Sequence, residues 1–434
     1  MGMPDQQTDR VPNSTLAILY VVAVAGYALI ATVPVALDLG NRLFTVPFRA
    51  LVLALSLWVV VRAAREGELY TGVLWLPLTV FWLLYTGRIL WDTLINPVPL
   101  GYPASEYFLY ALGTCFVPML AFFARPNDAT LSLALRLTTT GCAVAVLAVA
   151  FIAARLVLAG NIGTIITGRL ELRTLNPISF GHLGTSLIIV SLFQFRARPR
   201  SPASVLALTA ALILGILAVG LSASKGPILA LAAGLVLLML LDWRSGRPFR
   251  AVTAGVLILF LGIQGAFYLE EHFGFAIISR FQVAMDDPLR TDLMSGAVSQ
   301  FLAHPFTGSS LEERVLQMYP HNTFLESFMA VGLVGGLAYS VFHLGALREA
   351  WRLIVSRPEH AWVAILCVQY TIAASFSGAL WDWSMLWSLL AAVVAVRDSA
   401  VVVRESQTRV ARDTLELGTA PENAQIYRDS TGCR

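Results

Sequence analysis

Residues 320–336 read Pro-His-Asn-Thr-Phe-Leu-Glu-Ser-Phe-Met-Ala-Val-Gly-Leu-Val-Gly-Gly, so that a long polar segment runs directly into an apolar helix. This pattern predicts the end of a membrane-spanning helix, with His321 where hydrocarbon meets water. Histidine titrates near neutral pH and is therefore a candidate base or acid at this edge. Gly332, Gly335 and Gly336 would let a neighbouring helix pack closely against the span.

The composition around this junction is typical of a protein embedded in a membrane. The 434 residues are 57% hydrophobic and 13% charged, with a mean hydropathy of +0.71. The net charge is only +3, and the arginines are spread along the chain, which excludes nucleic acid as a partner. We therefore predict an all-α polytopic membrane protein.

Apolar runs long enough to cross about 30 Å of hydrocarbon recur along the chain. Residues 1–14 precede the first run without a small-residue cleavage site, so we expect a cytoplasmic N-terminus and a retained anchor. Residues 398–434 lack a sustained apolar face, and we expect a cytoplasmic tail that is disordered in large part. We count about twelve spans between them: 15–37, 43–61, 70–86, 106–124, 136–158, 177–195, 203–221, 226–242, 251–269, 321–345, 360–378 and 380–397.

The arginines in the connections set the orientation. With twelve spans, five arginine-rich connections fall on one side, and the positive-inside rule makes that side the cytoplasm. The opposite side then holds 87–105, 159–176 and a large loop at 270–320, which is too long for a mere connector. Inside this loop, 290–304 has the spacing of an amphipathic helix ended by Pro305. Function should lie on this outer side.

Cations on the outer side are candidates for binding an anionic phosphate. Lys225 follows small residues that break the helix, where backbone amides and a cation suit a phosphate. The alternative is a snorkelling lysine at a helix end. Arg169 and Arg173 are four residues apart, so on a helix they could clamp one diphosphate, or they could be ordinary solvated side chains.

His321 has neighbours that favour chemistry over a purely structural role. Asn322 could fix a ring tautomer or an acceptor hydroxyl, and Glu326 follows one turn later. The long loop lacks a tight group of acids and histidines, so we expect metal-independent chemistry without a cofactor. Arg314 stands beside Glu312 and Glu313 and is more typical of a surface.

The pattern His-Asn, nine residues, Gly-x-x-Gly resembles the signature of the O-antigen ligase and polymerase family of bacterial inner-membrane glycan transferases. The resemblance extends over 160–345. It includes His-Pro-Phe-x-Gly at 304–308, preceded by Arg280 and Arg290, and the segment around Lys225, where the family more often has arginine.

The resemblance implies the fold of the all-helical membrane glycosyltransferases. It also implies a glycan donor linked through a diphosphate to undecaprenol, a lipid or glycan acceptor, and an active site that faces the periplasm from the inner membrane. His321 would be the base for the acceptor hydroxyl, with Asn322 orienting it, and direct displacement would invert the anomeric centre. The diphosphate ligands would be Arg169, Arg173, Lys225, Arg280 and Arg290.

Two activities share this signature. A ligase joins a finished polysaccharide to its acceptor, whereas an O-antigen, capsule or exopolysaccharide polymerase joins repeat units on the carrier. The intact His-Asn signature favours a ligase, with a polymerase as the alternative. A twelve-span transporter is disfavoured because repeated halves and midplane charges are not evident. A flippase for the same lipid-linked sugar would move its substrate and leave its bonds unchanged.

Overall fold

The computed structural model describes residues 13–159, 170, 172, 174–197, 201–246, 262, 264–265, 267–268, 270–272 and 288–399. Within these residues the chain forms helices and no strand. The numbered helices are α1 (Ser14–Leu37), α2 (Asn41–Arg65), α3 (Trp75–Leu90, continued by Trp91–Ile95), α4 (Ala104–Phe108, continued by Leu109–Phe116 and Val117–Ala121), α5 (Asp128–Leu158), α6 (Pro177–Arg196), α7 (Pro202–Ser222), α8 (Lys225–Arg244), α9 (Pro288–Ala303), α10 (Thr323–Ser356), α11 (Ala361–Phe376) and α12 (384–399).

Seven of the described helices are long and apolar enough to cross a membrane, namely α1, α2, α5, α6, α7, α8 and α10. Helices α3, α4, α11 and α12 correspond to four further predicted runs, but they are shorter or interrupted by π turns. The run predicted at 251–269 lies largely outside the described residues. The structure thus supports an all-α membrane protein, whereas the count of twelve spans and the large periplasmic loop remain predictions.

Local sequence determines where the helices begin. Asn176 precedes Pro177, and its Oδ1 accepts the Ser179 N–H at 2.7 Å, while the Asn322 Oδ1 accepts the Leu325 N–H at 3.0 Å. Asparagine is a strong N-cap because its side chain satisfies a first-turn N–H, and proline fits the first helical position. These caps start α6 and α10 at the same end of the helix bundle.

We call this end the site end, because α6, α8, α10 and α12 all begin there. At the opposite end the arginines form ion pairs that tie neighbouring helices together, and we call it the arginine end. This grouping agrees with the sidedness expected from the arginine-rich connections, although the identity of the two membrane faces remains a prediction. The pairs are Arg125 with Asp398, Arg196 with Asp242, and Arg357 with Asp128.

A core of aromatic rings joins α3, α10 and α12. The ring of Phe81 lies 5.3 Å from that of Tyr339 and 5.5 Å from that of Trp387, and all three side chains are fully buried. Aromatic pairs at these distances stabilise by about 0.5–1.5 kcal/mol beyond the burial of their area. The core therefore fixes α10, the helix that His321 precedes.

Candidate functional site

His321 lies at the site end, in the connection that leads into α10. The residue is half-buried, and its φ of +56° falls in the left-handed region, which costs a non-glycine residue about 1–3 kcal/mol. Its ring packs edge-to-face on that of Tyr319, with centroids 4.6 Å apart. The surrounding structure thus holds this imidazole in one orientation at some cost, as functional sites often do.

Asn322 holds the backbone on which His321 is mounted. Its Oδ1 is the α10 cap, and its Nδ2 donates to the Ser375 carbonyl at the end of α11, at 3.4 Å. Both the oxygen and the nitrogen of the Asn322 side-chain amide therefore have protein partners. This arrangement suits a positioning residue, and a direct contact with an acceptor hydroxyl stays a prediction.

Glu326 ties the start of α10 to the connection between α11 and α12. The side chain is fully buried, its Oε2 accepts the Leu380 N–H at 2.9 Å, and its Oε1 accepts the Tyr85 hydroxyl at 3.0 Å. Because α12 begins at 384 rather than at the predicted 380, Asp382 lies in this connection and not in a span. Glu326 thereby fixes the position of His321 relative to Asp382.

A cavity of about 290 Å³ opens at the site end, near the lower end of the usual size of ligand pockets, and Tyr319 lines it beside His321. Arg49 also lines it; its guanidinium donates to the Tyr110 hydroxyl at 2.7 Å and lies 4.1 Å from the centre of that ring. Asp382 is exposed to the cavity, yet desolvation by the surrounding protein raises its pKa to about 7, and Arg49 opposes this rise. The cavity thus offers a cation, a titratable carboxyl and aromatic rings, a combination suited to a sugar.

Two of the five predicted diphosphate ligands are described. Lys225 is half-buried at the first residue of α8, after a break at Ala223 whose φ is +43°, so the predicted helix break is confirmed. Arg290 is half-buried in the first turn of α9, and its Nε has no hydrogen-bond partner among the described residues. The remaining three, Arg169, Arg173 and Arg280, lie outside the described residues.

The helix and the surface arginine expected in the long loop are both present in the structure. The helix expected at 290–304 is confirmed as α9, which ends two residues before Pro305. Its Leu293 is buried, whereas Met294, Val298 and Leu302 are exposed, as expected for a helix with one side at a membrane surface. Arg314 is exposed, as expected for a surface residue.

The segment 304–308 docks on a break in α10. Gly332 has a φ of +68°, and a Cβ added there would lie 2.4 Å from the Phe306 carbonyl oxygen. A Cβ on Gly308 would similarly lie 2.2 Å from the Ala330 carbonyl oxygen. Gly332 therefore receives a loop and not a neighbouring helix, which corrects the sequence expectation for this residue.

Arg88 holds the docked segment and was not found from the sequence. Its guanidinium donates to the carbonyls of Thr307, Gly308 and Ser309, and it pairs with Asp92 at 3.2 Å. An Arg-x-x-x-Asp spacing at the outer end of a predicted span was the available signal. Asp382 had a weaker signal, since it is only a single acidic residue near the start of the apolar run predicted at 380–397.

The fold and the site define a class: an all-helical membrane protein with a histidine close to a cavity that contains an arginine and an aspartate at one end of its helix bundle. Residues 210–340 match the family model described as O-antigen ligase, and this match supports assignment of the chain to the O-antigen ligase and polymerase family. The match includes Lys225, Arg290 and His321. No curated protein matches the chain.

Proposed function

We propose that the protein transfers a glycan from an undecaprenyl diphosphate carrier to an acceptor hydroxyl at the periplasmic face of the bacterial inner membrane. The observation that carries the proposal is the position of His321, held in a strained backbone and packed on Tyr319, which lines a cavity together with Arg49 and Asp382. The family match over 210–340 supports glycan transfer as the class of reaction.

The reaction requires one bond to form and one to break at the anomeric carbon. The acceptor oxygen attacks this carbon while its proton passes to the His321 imidazole, so that a new glycosidic bond forms. The bond from the anomeric carbon to the diphosphate oxygen breaks, and its electron pair leaves with the lipid diphosphate. No covalent enzyme intermediate is formed, and the anomeric configuration is inverted.

Positive charge must offset the charge that grows on the leaving diphosphate. Arg290 and Lys225, at the starts of α9 and α8, supply it together with Arg169, Arg173 and Arg280. Arginine suits this role because its planar guanidinium can donate two hydrogen bonds to one phosphate. Fixed cations of this kind stabilise a transition state without a metal ion.

Asp382 and Arg49 take the acceptor side of the reaction. The Asp382 carboxyl is exposed to the cavity and can hydrogen-bond a sugar hydroxyl, while Arg49 stays stacked on the Tyr110 ring. His321 then stands between the acceptor in the cavity and the donor diphosphate. We favour a ligase because the His-Asn, nine residues, Gly-x-x-Gly pattern is intact.

The test is analysis of carrier-linked glycan in a strain that lacks the protein, complemented with the wild type or with His321→Ala. Loss of a ligase leaves long polysaccharide on undecaprenyl diphosphate, and loss of a polymerase leaves single repeat units there. The His321→Ala strain should match the deletion strain. Carrier-linked glycan that is unchanged in the deletion strain would refute the proposal, and repeat units trapped on the cytoplasmic side would indicate a flippase.

A further inference from the structure

His182 is a buried histidine whose ring has no hydrogen-bond partner within the described structure. It lies in the second turn of α6, is 2% exposed, and neither Nδ1 nor Nε2 bonds to a described group. Burying an imidazole without partners is costly, so nearly all buried polar groups have one. His343, the buried histidine of α10, follows this rule, since its two nitrogens contact the hydroxyls of Tyr339 and Thr371.

The His182 ring is directed at the start of α8. Its Nε2 lies 3.6 Å from the point that a Cβ on Gly226 would occupy, and glycine leaves this point open. The N-cap residue Ser224 makes no side-chain cap, because its hydroxyl donates instead to the Ser222 carbonyl at 2.8 Å. The first-turn N–H groups of α8 therefore have no side-chain cap, and the positive end of the helix dipole lies beside His182.

We propose that His182 is a ligand of the lipid-linked diphosphate, which it binds together with Lys225 and the first-turn N–H groups of α8. The inference rests on the proposed function and adds a residue to its leaving-group site. A ring N–H donates to a phosphate oxygen. When the bond to the anomeric carbon breaks, the electron pair moves to the diphosphate and this hydrogen bond becomes stronger.

The arrangement explains why an imidazole occupies a position where an apolar side chain would serve folding better. An isolated buried ring destabilises the fold, and a phosphate oxygen beside it supplies the missing acceptor. Gly226 has a matching role, since any side chain there would stand between the ring and the start of the helix.

Binding by the full-length protein in lipid nanodiscs tests the proposal. The probes are farnesyl diphosphate, inorganic diphosphate and inorganic phosphate, measured by calorimetry. His182→Met removes the hydrogen-bond donor at similar volume, and His182→Gln keeps a donor. Gly226→Ala places a methyl group between the His182 ring and the start of α8, at an ordinary contact distance of 3.6 Å from Nε2. The matched control is Ser191→Ala, which removes from α6, further from its start, a buried hydroxyl that also has no partner among the described residues.

We expect His182→Met and Gly226→Ala to weaken farnesyl diphosphate binding by about tenfold or more, as loss of a hydrogen bond to a charged group does. His182→Gln should retain part of the affinity, and Ser191→Ala should bind like the wild type. If the variants weaken binding of inorganic diphosphate to the same extent, the head group alone is recognised. If they weaken binding of farnesyl diphosphate only, the lipid chain is needed to position the diphosphate.

Wild-type affinity in both His182→Met and Gly226→Ala would overturn the inference while leaving the proposed function intact. No binding of any probe by the wild type would instead refute the proposed function. The temperature of thermal unfolding separates folding from binding, because His182→Met removes an unpaired polar group and should not lower it. If His182→Met unfolds at a lower temperature, the binding affinity of Gly226→Ala tests the inference, because that variant keeps the histidine.

Discussion

Alanine in place of Gly332 should both destabilise the protein and disable it. The φ of +68° and ψ of −166° belong to a region used almost only by glycine, which costs alanine about 1–3 kcal/mol. The new Cβ would meet the Phe306 carbonyl at 2.4 Å, so the segment 304–308 must move by on the order of 1 Å. That movement strains two hydrogen bonds, from the Leu333 N–H to the Pro305 carbonyl and from the Ser309 N–H to the Met329 carbonyl.

Each of these bonds contributes about 0.5–1.5 kcal/mol, so the total cost is about 2–6 kcal/mol. Transfer should fall by about 10²-fold, since a displacement of this size is enough to misplace reacting groups. Thermal unfolding can be followed with a thiol-reactive dye, because the described cysteines are all buried. Transfer is measured in parallel at matched protein level.

Gly87→Ala is the matched control. It lies in α3 with nothing near its Cβ position, and alanine there should stabilise the helix by up to about 1 kcal/mol. Gly308→Ala disrupts the same contact from the side of the docked segment. The double variant with Gly332→Ala should therefore lose less unfolding free energy than the sum of the two single variants. The reasoning is refuted if Gly332→Ala behaves like Gly87→Ala, or if the two costs simply add.

Four further outcomes follow from the site. His321→Ala should lose at least about 10²-fold in transfer at normal protein level, as expected for a missing general base, and activity within a few-fold of wild type would remove that role. Transfer by purified protein should survive excess chelator, whereas a loss restored by magnesium or manganese would contradict fixed cations as the source of charge. In a background without native cysteines, Val315→Cys should react with an impermeant reagent in intact spheroplasts and Ser201→Cys only after lysis; the reverse would invert the topology. Arg290→Lys should lose most of the activity, because lysine cannot donate the two parallel hydrogen bonds of a guanidinium, while Arg314→Lys should keep nearly all of it. Equal losses in the two variants would contradict the assignment of Arg290 as a diphosphate ligand and Arg314 as a surface residue.

The sequence predicts the fold well because a membrane imposes strong constraints. Twenty apolar residues must form a helix in hydrocarbon, so runs such as 177–195 and 203–221 agree closely with α6 and α7. The helix starts are also local, since Asn176 and Asn322 cap the residues directly after them. Such features need no knowledge of distant contacts.

The cavity could not be predicted because its parts come from distant positions in the sequence. Arg49 is a charged residue in the apolar helix α2, and its sequence neighbours do not show that Tyr110 of α4 is its hydrogen-bond partner. His182 reads as an ordinary buried histidine until the start of α8 is brought against it. Only the packing of the helices shows that Arg49 has a hydrogen-bond partner and that the His182 ring has none among the described residues.

The signature itself has a mainly structural meaning in this fold. Asn322 caps α10, and ten residues of helix carry the chain about 15 Å to Gly332, where 304–308 docks. The spacing thus fixes the distance between His321 and the docked loop. Ligases and polymerases can share it for that reason. Arg49 and Asp382 are the charged residues that line the cavity outside the matched 210–340 segment, and we expect acceptor choice to depend on them.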